Sequence, residues 1–336
     1  MRLSGMASNT RILFVKRPVG AVDESCFEVD EQPVPEPGPG EVLVRNIYLS
    51  CDPYLRGRMD SAFGLGEPVT ARVVGQVVAS ADPAFAEGDH VWGFLGWEEF
   101  SLIRGADLTG VDPEVGPLSN AISVRGMPGL TAWVGLVDIV KPQPGETVFV
   151  SSATGAVGQV VGQLAKRAGA RVVGSGGTDA KVAHAVDRLG YDAAFNYRTV
   201  SSIRDALRES CPDGIDGYFD NVGGETLEAA LARVNPGARI AVCGMISRYE
   251  STDDPGVRNL ISILANRLTI TGFSIYDHVH RLPWFVPRMG KWLAEGSIVY
   301  DEDIVDGIDS LPGTFIGMLA GDNVGKRLVR VGEDHG

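Results

Sequence analysis

The sequence predicts an α/β protein with two parts, a largely antiparallel, barrel-like β domain and a doubly wound parallel-sheet domain. Three observations carry this reading. Short strands separated by glycine turns fill the chain from Arg11 to about Arg125. After Gly126 the pattern changes to six strands alternating with helices, the order that produces a parallel sheet covered on both faces. Between them, TVFVSSATGAVGQVVGQLAKRA (147–168) runs from a β-branched strand through a glycine-containing turn into apolar residues at helical spacing.

The β part opens with RILFVK and a proline-rich joint, PVPEPGPG (33–40), followed by EVLVRNIYLS, ARVVGQVVAS, HVWGFL and EEFSLI. A helix is expected over 130–140, and then the opening strand of the parallel sheet. RVVGS, AAFNY, GIDGYFDNV, ARIAVCG and RLTITGFSI supply the remaining strands. Helices are expected over 179–189, 201–210, 225–234 and 284–295, with part of another over 259–266. From Ile298 the tail returns to strand, a helix over 313–319 and the strand RLVRV. It is assigned back to the β domain, which makes the parallel-sheet domain an insertion.

Composition limits the function classes. At 336 residues the chain can build two full cores, and 44% hydrophobic with 22% charged residues is an ordinary globular balance. A net charge of −13 argues against a broad nucleic-acid or acidic-membrane surface. Cys26, Cys51, Cys211 and Cys243 form no CxxC pair and read as reduced thiols of a cytoplasmic protein. No apolar run approaches the roughly 20 residues of a membrane span, and the start lacks a signal-peptide core; Met6 is an alternative start to Met1.

The turn at 153–158, ATGAVG, suits a dinucleotide, because a pyrophosphate can approach free N–H groups at the start of the helix. It departs from G-x-G-x-x-G by placing Ala153 first, which is tolerable if that position needs no positive φ. Asp179, about 20 residues beyond Gly158, fits the spacing of a ribose-binding acid, but it is better placed to cap the next helix. Lys181 stands in the first turn of that helix, where the dipole disfavours a cation unless an anion is present. The pairing favours NADP over NAD.

Catalytic zinc is not expected. It needs three protein ligands, and none of His90, His184, His278, His280 or His335 lies in a suitable context after Cys51. What remains is hydride chemistry assisted by hydroxyls. Tyr249 follows the fifth strand at the sheet edge where ligands bind, so its phenol can donate to a carbonyl, hold a ribose, or be an exposed loop tyrosine. Asn221, after the fourth strand, can line the cofactor or simply shape a helix-entry turn.

Seven segments then resemble one family throughout: YLSCDPYLR (48–56), GMPGLTA (126–132), ATGAVG (153–158), LGYDAAFNY (189–197), YFDNVGG (218–224), GMISRY (244–249) and GDNVGK (321–326). The chain resembles the zinc-independent medium-chain dehydrogenase/reductases of the prostaglandin reductase and NADP-dependent alkenal (enone) double-bond reductase group, over about 11–331. That resemblance implies a GroES-like β-barrel catalytic domain, 1–126 completed by 299–336, and a Rossmann NADP-binding domain, 127–298. It implies NADPH-dependent reduction of the C=C bond of α,β-unsaturated ketones or aldehydes, with hydride added to the β-carbon. Tyr249 and a cofactor ribose hydroxyl would stabilise the enolate, and solvent or a relay would protonate the α-carbon.

By the same likeness Lys181 and Tyr197 hold the 2′-phosphate, while Gly155, Ala156, Val157 and Gly158 present backbone to the pyrophosphate. Met127 and Thr131 approach the nicotinamide, Gly177, Asn221 and Asn323 contribute further cofactor contacts, and Tyr54 joins Tyr249 at the substrate. A homodimer is implied as well. The loop after the DPY motif, MDSAFGLGE (59–67), lacks the tyrosine of some relatives, so a more apolar substrate face is expected there. The alternatives are an NADPH quinone reductase and an NADPH-binding protein without turnover.

Overall fold

The computed structural model describes residues 8–253 and 256–334; the two candidate starts, Met1 and Met6, and His335 lie outside them. In chain order, β1 (Ser8–Phe14), β2 (Phe27–Pro33) and β3 (Glu41–Ser50) lead to a short helix α1 (Tyr54–Arg58). Then come β4 (Glu67–Pro68), β5 (Thr70–Ser80), β6 (His90–Gly96), β7 (Phe100–Arg104) and β8 (Thr109–Val111). Helix α2 (Met127–Trp133) opens the alternating region of β9 (Thr147–Val150), α3 (Gly158–Arg167), β10 (Arg171–Gly176), α4 (Asp179–Asp187), β11 (Ala193–Asn196) and α5 (Ile203–Ser210). It continues through β12 (Ile215–Asp220), α6 (Gly224–Leu231), β13 (Val234–Val242), α7 (Ile246–Tyr249), α8 (Ile261–Asn266), β14 (Thr269–Gly272) and α9 (Leu282–Ala294). The tail holds β15 (Glu302–Asp306), α10 (Leu311–Ala320) and β16 (Lys326–Arg330).

These elements form two compact units, 1–122 with 302–336, and 123–301. The first holds a three-stranded sheet, β2-β1-β4, and a seven-stranded one ordered β15-β16-β3-β5-β6-β8, with β7 also paired to β3. The tail joins this unit because β16 lies antiparallel on β3, with Leu328 opposite Ser50. Its core is centred on Trp97, fully buried, stacked on Phe27 at 5.6 Å and edge-on to Phe315 of α10 at 5.7 Å.

The second unit holds six parallel strands ordered β11-β10-β9-β12-β13-β14. The chain runs outward from β9 to β11 and then crosses to β12 on the other side of β9. That reversal opens the crevice at the carboxyl edge where ligands bind in such sheets. Every residue of β9 is buried; Val148 and Val150 pack on one face, and Phe149 on the other stacks on Tyr218 at 4.9 Å. A strand buried on both faces is what its unbroken apolar composition required.

The helix expected over 130–140 is two pieces. α2 gives way at Val134 to a π-helical stretch, Val134–Val140, closed by the Lys141 N–H on the Leu136 carbonyl at 2.7 Å, with Lys141 at φ 51°. The ring of Phe219 lies so close to Gly135 that a Cβ there would come within 2.3 Å of it, which leaves no room for a regular turn with side chains.

Before the chain leaves this unit, side chains of α3 bind it as a neighbouring strand would. Gln163 donates to the Val299 carbonyl at 2.6 Å and accepts from the Val299 N–H at 2.8 Å. Gln159 does the same for Asp301 at 3.1 and 2.8 Å. Asp301 in turn accepts from Arg188, which holds its carboxyl below the usual range, and lies 3.0 Å from His184 of α4.

Replacing Trp97 by Ala removes the largest side chain of the first core and should cost about 3–5 kcal/mol. The urea midpoint should fall with little change of slope; an unshifted midpoint would contradict the packing described.

Candidate functional site

Four strand ends meet at the carboxyl edge of the parallel sheet. After β9 the chain must turn at once, and the strain of that turn falls on Ser152, whose φ is 54°. Ala153 avoids the left-handed region, which is why alanine serves at the first fingerprint position. Ser151, fully buried, is clasped from β12: the Asn221 side chain donates to its carbonyl at 2.7 Å. Its hydroxyl accepts from the Asn221 N–H at 2.9 Å and lies 3.2 Å from the Tyr218 phenol oxygen, to which it can donate. The amide bond to the Ser151 carbonyl ties the Asn221 side chain to the turn.

Asp220 organises the same corner. One carboxylate oxygen accepts from the Tyr218 phenol at 2.6 Å and from the N–H groups of Val222 and Gly223 at 2.9 and 2.8 Å. Burial pushes this carboxyl above its usual range, and those hydrogen bonds offset the effect only in part.

Gly155 folds its N–H back onto the Ser152 carbonyl at 3.1 Å. Gly158 admits no side chain, because a Cβ would stand 2.2 Å from the Ser152 carbonyl oxygen. Gly155, Ala156 and Val157 are half-buried, and α3 begins without a side-chain cap. The N–H groups of Gln159 and Val160 bond the Gly155 and Val157 carbonyls at 3.1 and 3.0 Å, which leaves those of Ala156, Val157 and Gly158 to meet an external anion. The start of α3 is pinned from below by Tyr191, whose phenol donates to the Gly158 carbonyl at 2.8 Å. Its ring fills a slot between Gly162 and Gly174, where an added Cβ would come within 2.2 and 2.9 Å of it. Sequence reasoning passed over Tyr191; the signal was the pair of glycines in a helix and a strand that otherwise have no use for them.

Beyond β10 a second group gathers. Lys181 packs its Cβ on Gly176, and the Tyr197 hydroxyl and the Arg198 Nε lie against Gly177, 3.0 and 3.4 Å from where a Cβ would be. Arg198 was not singled out from sequence, although it directly follows Tyr197. The helix cap differs from expectation: Thr178 caps α4, accepting from the Lys181 N–H at 3.2 Å. Asp179 instead lies inside the first turn and accepts from the Asn196 amide at 2.8 Å. A threonine with β-region backbone outcompetes the next residue for the cap because only it points back along the helix axis.

After β13, Tyr249 closes α7. It is half-buried, its phenol oxygen accepts from the Met245 N–H at 3.3 Å, and Gly244 leaves the hydroxyl its space. Burial pushes its phenol above the usual tyrosine range, against the opposing hydrogen bond from Met245. Of the other nominated residues in this unit, Met127 and Thr131 are buried in α2, the Thr131 hydroxyl donating to the Met127 carbonyl at 2.7 Å.

In the first unit, Tyr54 opens α1, and Asn323 folds its amide onto the Gly325 carbonyl at 2.8 Å. In the loop over 59–67, Met59 and Phe63 are buried in the core, and Leu65 is an exposed apolar side chain. Arg17 fastens this loop by donating to the Met59 and Phe63 carbonyls at 2.6 and 3.0 Å.

Glycine at 158 and serine at 152 give opposite expectations. Gly158→Ala should abolish binding of NADPH, read as loss of the fluorescence change on titration. Ser152→Gly should retain it and relieve about 1 kcal/mol of left-handed strain, raising the denaturation midpoint.

The comparisons agree with this geometry. Residues 10–111 match the family described as N-terminal domain of oxidoreductase, and 156–291 the one described as zinc-binding dehydrogenase. The zinc of that description does not fit the residues present. Among the described residues no three His, Cys, Asp or Glu side chains gather to hold a metal, and burial pushes the Cys51 thiol up to about 12. The chain is 41% identical to a 2-alkenal reductase (NADP(+)-dependent) of Nicotiana tabacum, over 97% of this chain and 98% of that one. It is 40% identical to the NADPH-dependent curcumin reductase of Escherichia coli (strain K12), over 97% and 98%. The crystal structure of CurA in complex with NADPH from Vibrio vulnificus superposes with a TM-score of 0.91 at 38% identity, covering 97% of this chain and all of that one, 100%. With both domains matched and relatives at this identity over nearly its whole length, the chain belongs to the zinc-independent medium-chain dehydrogenase/reductases of the alkenal (enone) double-bond reductase family.

Proposed function

We propose that the protein reduces the C=C bond of α,β-unsaturated ketones or aldehydes with NADPH. The observation that carries the reading is the Tyr249 hydroxyl, held half-buried at the same sheet edge as the nucleotide turn. The names of the relatives, an NADP-dependent alkenal reductase and an NADPH-dependent curcumin reductase, support the substrate class.

The residues fit the cofactor. The N–H groups of Ala156, Val157 and Gly158 leading into α3 would face the pyrophosphate, and Lys181, Tyr197 and Arg198, gathered around Gly176 and Gly177, would meet the 2′-phosphate. Met127 and Thr131 are assigned to the nicotinamide side and Asn323 to a further cofactor contact. Tyr54 and Tyr249 are assigned to the substrate. When bound, the reduced nicotinamide supplies the hydride that reaches the β-carbon. The protein's part is to meet the negative charge that then develops on the carbonyl oxygen. Tyr249 accepts from Met245 and keeps its own O–H to donate there, and its raised pKa keeps that proton in place.

A homodimer is part of the reading. β14 is the edge strand of the parallel sheet, and Leu260, Ile261 and Leu264 beside it in sequence are exposed. An edge strand with neighbouring apolar side chains suits pairing with a second copy. Four unpaired cysteines suit the reducing cytoplasm. No helix among the described residues is long and apolar enough to cross a membrane.

The test is NADPH oxidation over a panel of enals, enones and quinones. Activity confined to quinones, or NADPH binding without turnover, would replace the reading by one of its alternatives. Tyr249→Phe should lower kcat by about 100- to 1,000-fold, the effect of one lost donor to a developing oxyanion, with NADPH affinity little changed. Because a raised pKa keeps the phenol protonated, ionisation of Tyr249 should lower kcat only above the usual tyrosine range. An earlier alkaline loss, absent in the Phe variant, would remove it from the role. Lys181→Ala and Arg198→Ala should each raise KM for NADPH about 10- to 100-fold and leave KM for NADH unchanged, the scale of one charged hydrogen bond.

A further inference from the structure

We propose that Asp52 and Lys326 form a positioning pair that sets Tyr54 and the Asn323 turn on one another within the first unit. The proposal rests on the roles given above to those two side chains.

Lys326 opens β16, directly after the turn that carries Asn323. It is 2% exposed, an unusual place for an ammonium, which goes inside a protein only when its donors are matched. They are matched here: Nζ donates to the Cys51 carbonyl at 2.6 Å and the Arg327 carbonyl at 3.0 Å, and stands 3.2 Å from a carboxylate oxygen of Asp52. The second oxygen of Asp52 accepts from the Ser50 hydroxyl at 2.6 Å and lies 3.7 Å from the Arg72 guanidinium. Burial alone would raise this carboxyl, but the two cations overcome it and hold it below the usual range, so Asp52 is charged. Arg72 in turn lies over the ring of Tyr54, 5.4 Å from its centroid.

One carboxylate therefore joins two loops that are distant in sequence. Lys326 fixes the turn over 321–325 to the junction between β3 and α1, and Arg72 fixes the ring at the start of α1. A salt bridge is poor evidence of stability when buried, since an apolar pair of the same volume often serves the fold as well. What an apolar pair lacks is direction. The ion pair and its carbonyl contacts tie the two backbones together through directed contacts at Lys326 Nζ, as a binding constellation with narrow tolerances needs.

Kinetics of Asp52→Asn, Lys326→Met and the double variant, measured well below each melting temperature, test the pair, with Tyr54→Phe and Asn323→Ala in parallel. Either single change unbalances the buried cluster and can prevent folding, so the double variant, which removes both charges of the pair and leaves Arg72 over the rings of Tyr54 and Phe94, is the decisive protein. It should fold, with a melting temperature within a few degrees of the parent. Its KM for NADPH and for the enone should rise at least tenfold, by more than any fall in kcat. Where the single variants fold, the double should be no worse than the worse of them, the non-additivity of a coupled pair. A double variant with parental KM values, beside impaired Tyr54→Phe and Asn323→Ala, overturns the positioning pair alone. Parental kinetics of Tyr54→Phe and Asn323→Ala overturn the roles given to those side chains, and the positioning proposal with them.

Discussion

The parallel sheet depends on one local arrangement, the clasp that holds Ser151 at the end of β9. A strand that must become a helix within a few residues needs a backbone that reverses sharply, and here the reversal is forced on a serine. The left-handed state of Ser152 is unfavourable by itself and persists because its neighbour is over-determined. Asn221 holds Ser151 by carbonyl and hydroxyl together, and Tyr218 and Asp220 hold the hydroxyl and the next turn. β9 and β12 are adjacent in the sheet although about seventy residues apart, so the clasp ties the nucleotide turn to the topological switch itself.

Much of this was legible in the sequence. The six alternating strands, the buried character of β9 and the place of the turn follow from period and composition, which local physics controls. The position of Tyr249 at a carboxyl edge followed from counting strands. The structural details that were not legible depend on long-range packing. Nothing local reveals that Asn221 spends its amide on Ser151, that Thr178 rather than Asp179 takes the cap, or that Met59 and Phe63 turn inward. In each case the deciding partner is either remote in the chain or a matter of backbone angle. The π-helical stretch belongs to the same class, because the ring that presses on Gly135 comes from β12.

The candidate residues are held in place by two kinds of physics. At the nucleotide turn, backbone geometry and missing side chains do the selecting: Gly158, Gly162 and Gly174 matter for what they leave out. In the cluster of Lys181, Tyr197 and Arg198, and separately around Asp52 in the first unit, cationic side chains set position. Family likeness named residues of both kinds without distinguishing them. In the structure Lys181 and Tyr197 lie against Gly176 and Gly177, and the Asn221 amide donates to the Ser151 carbonyl.

The glutamine pair on α3 has a consequence for how this helix can be watched. The amides of Val299 and Asp301 are bonded to side chains that belong to the helix beginning at Gly158, and not to a neighbouring strand. Their exchange with deuterated solvent is therefore governed by the loosening of α3 and not by the opening of any sheet. Two backbone positions well over a hundred residues downstream thus act as reporters on the first two turns of the nucleotide helix.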